Sequence, residues 1–360
     1  MKKEIEQTIK GDDNTQQNIG VQINNNYGVV TKDEIREISR QTAREICAQY
    51  ATLSSQLIDS RLESFEHTLI HRLENVENSL SNFSDPGFVW LYKQAQIRAA
   101  ISGEKSDYEL LCELLVSRTQ QKENKYRQTG IDGAIQIVDK LSDSSLAALT
   151  ILCCVTKYIS PISPDVNKGL ERINQLYKSI ICETSLPSGD EWMDQLDVLK
   201  AIRINTLPPY LKFKDIIPRL FNNYISLGVK KGTKEYDKAM EIQRNFGFGI
   251  FQINPLNPEY IKLPYAKEEV LNACKISHGD SRIQTIAPRV LDIFDLYDTN
   301  QAEQQKAIDL LCERIGSYPY ISMVGSWWDG IPYICEPTSV GKAIAYANGK
   351  KCCPNFPDLN

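Results

Sequence analysis

Apolar positions along this chain follow three different rhythms. From Gly11 to Gly28 the sequence is rich in Asn, Gln and Gly, and Ile19, Val21 and Ile23 alternate with Gly20, Gln22 and Asn24. A period of two is that of a strand, here with one β-branched face and one mostly amide face. A lone strand cannot bury such a face. Identical strands from neighbouring copies can, and stacked Asn and Gln side chains then form hydrogen-bonded ladders. Residues 1–30 are therefore read as a polar β-strand segment for assembly, with Ile19, Val21 and Ile23 as oligomerisation residues. The alternative is a disordered polar tail.

The rhythm then becomes helical. Thr31-Lys32-Asp33-Glu34 is a capping box, and apolar residues recur at Ile35, Ile38, Ile46, Tyr50, Leu53, Leu57, Leu62, Phe65, Leu69, Leu73, Val76, Leu80 and Phe83. From Leu69 the steps are 4, 3, 4 and 3, a heptad seam, with a slip between Leu57 and Leu69 as in a stutter. Neither Pro nor Gly occurs between Val30 and Pro86. The pattern predicts a long coiled-coil helix over 31–85, roughly 75–80 Å in length. Leu69, Leu73, Val76 and Leu80 would be covered by partner copies. The alternative is a pair of helices folded back within one chain.

After Ser84-Asp85-Pro86-Gly87, which ends that helix, a third region begins. Apolar faces at helical spacing mark Phe88–Ile101, Tyr108–Ser117, Ile131–Leu141, Leu146–Tyr158, Val166–Ile181 and Trp192–Ile202. Phe246 through Pro264 is irregular, and helices return at Lys267–Lys275, Ile286–Tyr297 and Ala302–Ile315. Beyond Gly316, the apolar runs Tyr320–Val324 and Ile331–Cys335 flank Trp327-Trp328-Asp329-Gly330, and Asp-Gly is a hairpin signal. A last helix starts at Thr338. The order resembles a winged helix. The expected architecture is mainly α: the β-segment, the coiled-coil helix, a helical domain over 86–300, and a winged-helix-like module with a β-hairpin over 301–360.

Composition changes this picture little. Hydrophobic residues make up 42% and charged residues 24% of the 360, ordinary for a globular protein. No apolar leader opens the sequence, and the longest apolar run, Leu146–Val155, is too short to span a bilayer, so no membrane insertion is expected. The ten cysteines lack framework spacing and no C-x-x-C occurs, which implies reduced thiols and a cytoplasmic setting. Charge is more informative by location. The net charge of −5 lies in residues 1–85, with 9 basic and 14 acidic residues. Residues 200–244 carry 10 basic residues against 4 acidic, among them Lys230, Lys231 and Lys234.

Two resemblances follow from these residues. Val21-Gln22-Ile23-Asn24, within 19–28, is similar to the V-Q-[I/V]-G centre of RIP-homotypic-interaction-type motifs, with Asn in place of the usual Gly. That likeness implies ordered self-association. The close Pro337-Thr338-Ser339-Val340-Gly341-Lys342-Ala343-Ile344-Ala345-Tyr346-Ala347-Asn348, together with Phe88–Ser102 behind a coiled coil, resembles an uncharacterised bacterial family. Its members share a polar N-terminal segment, a long helix, a helical domain and an L-T-S-V-G-x-A-I-A-x-A-N-like close. Glu336-Pro337 departs from that close and puts the hairpin's details in question. The family carries no assigned activity, so no catalytic residue transfers. Similar architectures among phage-defence proteins imply a defence role by analogy.

Candidate chemistry is thin. His67 and His71 lie four apart on one helix face but lack flanking ligands, so solvated helix positions explain them better than a metal. Arg61 to His67 has the spacing of a helical ribonuclease site, but Leu62 stands where a polar residue is needed. Ser339-Val340-Gly341-Lys342 fails as a phosphate loop because Glu336 occupies the first Gly position. Asp292, Asp295 and Asp298 read as a solvated acidic face, and His278 as a turn. No catalytic residue, metal or cofactor is therefore assigned. Trp327, Trp328, Lys230, Lys231 and Lys234 are the candidate ligand or partner contacts. The expected function is a non-enzymatic self-assembling scaffold or sensor, homo-oligomeric, with a protein partner or ligand. The alternative is a nucleic-acid-binding regulator using residues 200–244 and the C-terminal module.

Overall fold

The computed structural model describes residues 32–74, 76, 79–102, 104–121, 124–157, 163, 165–181, 184–205, 210–267, 270–271 and 289–356. Ile19, Val21 and Ile23 lie outside the described residues. The chain divides into two compact units, Met1–Gln56 and Leu57–Asn360. The fold is mainly α.

The longest element is α1 (Lys32–Leu73), 42 residues or about 63 Å. It ends about three turns earlier than its apolar periodicity, which runs to Phe83, predicts. Within the second unit, Phe65, Leu69 and Leu73 are buried in the chain's own core with α2 (Pro86–Ile101) and α3 (Lys105–Gln120). The Phe65 ring stacks 6.3 Å from Tyr92 of α2, and Arg72 pairs with Glu113 of α3. This corrects the expected intersubunit seam. Leu69 and Leu73 are covered by the same chain, and Val76, half-buried, lies beyond the helix end. The side chain of Leu80 is outside the described residues. A short 3-10 helix, Ser79–Ser84, follows, and Phe83 sets its ring edge against Phe88 at 5.1 Å and Tyr92 at 5.4 Å. These aromatic contacts turn the chain back where a heptad pattern alone would have continued it.

The helical unit continues with α4 (Lys125–Ile135), α5 (Asp143–Lys157), α6 (Val166–Ile181) and α7 (Glu191–Val198). Strand β1 (Ile202–Asn205), α8 (Phe213–Leu220) and α9 (Asn222–Ile225) follow. A small sheet has the order β2 (Val229–Lys230), β4 (Tyr260–Lys262), β3 (Gln252–Ile253), with α10 (Lys234–Arg244) packed on β2. The chain then returns through α11 (Gln301–Gly316), α12 (Pro319–Trp328), β5 (Ile334–Pro337) and α13 (Ser339–Cys352).

The C-terminal hairpin is not formed. Tyr320–Val324 is helical, because Pro319 starts a helix at its first position and Ile321, Val324 and Trp328 then bury one face. Asp329-Gly330 closes that helix, with Gly330 N–H donating to Trp327 O at 3.0 Å. Strand β5 pairs antiparallel with β1, Ile202 opposite Pro337 and Asn205 opposite Ile334. The winged-helix reading fails for the same reason: a five-residue apolar run carries no decisive period.

Helix α13 is the axis of the unit, packed by α3, α4 and α5. Its close approach explains the small residues of the T-S-V-G-K-A-I-A-Y-A-N close. A Cβ on Gly341 would collide with Ala201 O, and Cβ atoms on Gly130 and Gly133 of α4 would run into Ser339 and Val340. Thr338 caps α13 by accepting from Gly341 N–H at 3.2 Å, while its hydroxyl donates to Lys200 O at 2.6 Å. Buried Asn348 donates to Thr150 of α5 at 2.9 Å.

Candidate functional site: a polar cleft at the head of the central helix

The first residues of α13, Ser339 and Val340, pack against Gly130 and Gly133 of α4. Asn124 caps α4, its Oδ1 accepting from Arg127 N–H at 3.1 Å, and Thr338 caps α13. Between their first turns and the end of α3 lies a cleft of about 240 Å³. Its polar lining comes from Ser117 and Gln121 of α3, Asn124, Tyr126 and Arg127 at the start of α4, and Ser339 and Lys342 at the start of α13. Ile131, Ala343 and Tyr346 form its apolar wall. Among the described residues the lining includes two cationic side chains, Arg127 and Lys342. The described lining thus combines cationic, hydroxyl and amide groups on one side with an apolar and aromatic wall on the other.

The residues singled out from sequence are placed elsewhere. Trp328 is buried, its indole N–H donating to Leu211 O at 2.9 Å and its ring 4.4 Å from Tyr210. Trp327 is half-buried; it donates to Pro187 O at 2.9 Å and packs 5.7 Å from Trp192. Both indoles serve the chain's own packing. Lys230 is exposed, 3.6 Å from Glu259 and 5.8 Å from the Tyr260 ring centre. Lys231 donates to Pro258 O at 2.7 Å, and Lys234 opens α10. These lysines belong to the small sheet, whereas the tryptophans sit on α12 against α6 and α8. The structure does not join them into one site. The ten basic residues of 200–244 are all exposed, spread over β1, α8, β2, α10 and their loops.

Other candidates resolve into structural roles. The Arg61 guanidinium donates to Ala100 O and Ile101 O, 2.9 Å each, closing the end of α2. His67 and His71 are exposed on α1. Asp298 accepts from Tyr260 at 2.8 Å, while Asp295 pairs with Lys267 at 3.3 Å. His278 lies outside the described residues. Among the described residues no group of three His, Cys, Asp or Glu is arranged to hold a metal, and no helix is long and apolar enough to cross a membrane. Burial pushes the Cys112 thiol up to about 12 and Cys335 to about 11, so neither supplies a thiolate nucleophile near neutrality.

One buried cation was not foreseen. Lys262 of β4 is 2% exposed, and its ammonium meets Asn223 O, Ser226 O at 3.1 Å and Ser226 Oγ at 2.9 Å. Burial alone pushes its pKa down to about 7. The three acceptors match the three N–H bonds of an ammonium. Lys262 thereby ties β4 to the end of α9.

No curated protein and no solved structure matches the chain. A family model whose description reads ":-like" matches residues 30–360. Spanning α1 through α13 and the cleft between them, that match means the chain belongs to the family this model describes.

Proposed function

We propose that this protein is a non-enzymatic scaffold or sensor that joins copies of itself through its N-terminal arm and receives a ligand or partner on its helical unit. The observation that carries this reading is the change in exposure along α1. Phe65, Leu69 and Leu73 are consumed by the chain's own core, whereas Leu57 is 52% and Ile58 40% exposed. Upstream, Ile46, Tyr50, Leu53 and Leu57 follow at steps of 4, 3 and 4, and we read that spacing as the stripe a second copy would cover. The polar alternation at Ile19, Val21 and Ile23 extends the same arm. A bacterial, cytoplasmic setting in defence against phage rests on likeness of architecture.

Light scattering on the full chain tests the assembly. Leu53→Asp combined with Leu57→Asp is expected to lower the mass toward that of one chain while helical circular dichroism is retained. An unchanged mass refutes the reading. The ten exposed cations of 200–244 favour a second reading, a nucleic-acid-binding regulator. Its mark would be a high 260/280 absorbance ratio in purified protein that falls with nuclease and salt. The protein packing of both indoles argues against base stacking there.

A further inference from the structure

We infer that the outer face of α2 is a second self-association surface, covered by the antiparallel α2 of another copy of this chain. The proposal rests on the self-assembly reading above and adds to it a contact on the helical unit. Phe88, Leu91, Ala95 and Ala99 bury the inner face of α2 in the core. On the outer side Trp90, Ile97 and Ile101 follow at steps of 7 and 4, which places them on one face. Trp90 is 61% and Ile101 58% exposed, with Val89 and Ile97 exposed beside them. A helix that is apolar on both sides belongs in an interior, and a single chain covers the inner side.

Area and charge select the occupant. The four exposed side chains present roughly 400 Å² of mostly apolar surface, a patch of the size that marks a contact site on a soluble protein. With a polar rim this approaches the ~600 Å² per partner of the smaller specific interfaces. A second copy brings a face of the same area and character, and Trp90 is the aromatic anchor such a contact needs. Lys93 decides the orientation. It is exposed on the same side of α2, its ammonium 5.9 Å from the Trp90 ring centre. A parallel pair would set the two lysines face to face. An antiparallel pair with its two-fold axis at Ile97 instead sets Lys93 of each chain opposite Ile101 of the other. The two ammonium groups are then about 12 Å apart along the helix axis, beyond the ~8 Å screening length at physiological salt. Together with the arm stripe, two different self-contacts on one chain link copies beyond a pair.

Light scattering and acrylamide quenching on the full chain test this. Trp90→Glu with Ile97→Glu should reduce the assembly to pairs held by the arm, and Leu53→Asp with Leu57→Asp to pairs held by α2. All four substitutions together should give the mass of one chain. Both α2 positions are exposed, so circular dichroism should be retained. Of the four tryptophans Trp90 alone is exposed in a single chain, so quenching reports on this face. Wild-type protein should be quenched less when concentrated than when diluted, and Trp90→Phe should remove that difference. Wild-type mass in the folded Trp90→Glu, Ile97→Glu variant overturns the α2 proposal and leaves the arm reading standing. Wild-type mass in the Leu53→Asp, Leu57→Asp variant, with a fall in the α2 variant, overturns the arm reading alone. If the α2 variant does not fold, quenching of wild type that is independent of concentration overturns the proposal by itself. The same quenching together with a blue shift of Trp90 emission on anionic phospholipid vesicles would overturn it in favour of a membrane surface.

Discussion

The helical unit contains two buried regions built on different terms. The larger surrounds α13 and is almost wholly apolar, with Phe65, Leu69, Leu111, Leu149, Leu170 and Ile344 among its members. The smaller, at the three-stranded sheet, clusters Val229, Ala239 and Ile261 as buried apolar side chains among the described residues, with Tyr236, Met240, Phe251, Leu296 and Tyr297 around them. Polar groups complete it. Asn254, 0% exposed, donates to Ser226 O at 3.1 Å and Leu227 O at 2.7 Å, and its Oδ1 accepts from Leu256 N–H at 2.9 Å. Tyr297 accepts from Leu263 N–H at 2.8 Å, and Lys262 closes the end of α9. Apolar area holds the first region, with little directional demand. Satisfied hydrogen bonds hold the second, so each polar group there is individually expensive to lose.

The sharpest test of the large region is Phe65→Ala. Its ring is fully buried and stacks on Tyr92, so the substitution is expected to cost about 3–5 kcal/mol in urea unfolding. A loss below about 1 kcal/mol, the size expected of a surface position, would mean that α1 does not belong to the core. The equivalent test of the small region is Asn254→Ala. Three backbone partners lose their bonds, and the expected cost is about 1–3 kcal/mol. Asn254→Leu should do no better, because added apolar volume cannot satisfy two carbonyls. If the leucine variant recovered wild-type stability, the two regions would share one principle after all.

The same contrast explains what the sequence disclosed. Helix α6 spans Val166–Ile181, the very stretch its apolar face predicts, because a long period-3.6 stripe against an apolar core has one interpretation. Tyr320–Val324, one arm of the expected hairpin, falls within helix α12 because five residues are too few to display a period; Pro319 is the available sign. The seam through Leu69 and Leu73 had the right residues and the wrong partner, since a heptad stripe records that a face is covered and not by which chain. The sheet of two- and three-residue strands offers too few alternations to be read. The cleft was invisible because Arg127 and Lys342 meet only after folding. Asn124 and Thr338, both helix caps, were its nearest local signals.

The smallest expected effect is a pH dependence confined to the small region. Burial lowers the pKa of Lys262 to about 7 from an ordinary 10.5. Between those values the unfolded chain binds more protons at this side chain than the folded one, so stability rises with pH across that window. Below it both states carry the ammonium, and the penalty of burying the charge is constant. One pH unit above 7 should add about 1 kcal/mol to the unfolding free energy through this group. The buried thiols of Cys112 and Cys335, raised to about 12 and about 11, act with the opposite sign at more alkaline pH, where unfolded thiols lose protons that folded ones keep. Urea unfolding between pH 7 and 8 therefore isolates the lysine best. Lys262→Met removes the titrating group while preserving chain length, so the variant should be less stable overall, with Asn223 O and Ser226 O left unpaired, and its stability should vary less with pH. If wild type and variant change in parallel, the three acceptors hold the ammonium charged throughout, and the lysine stabilises the small region as a fixed cation.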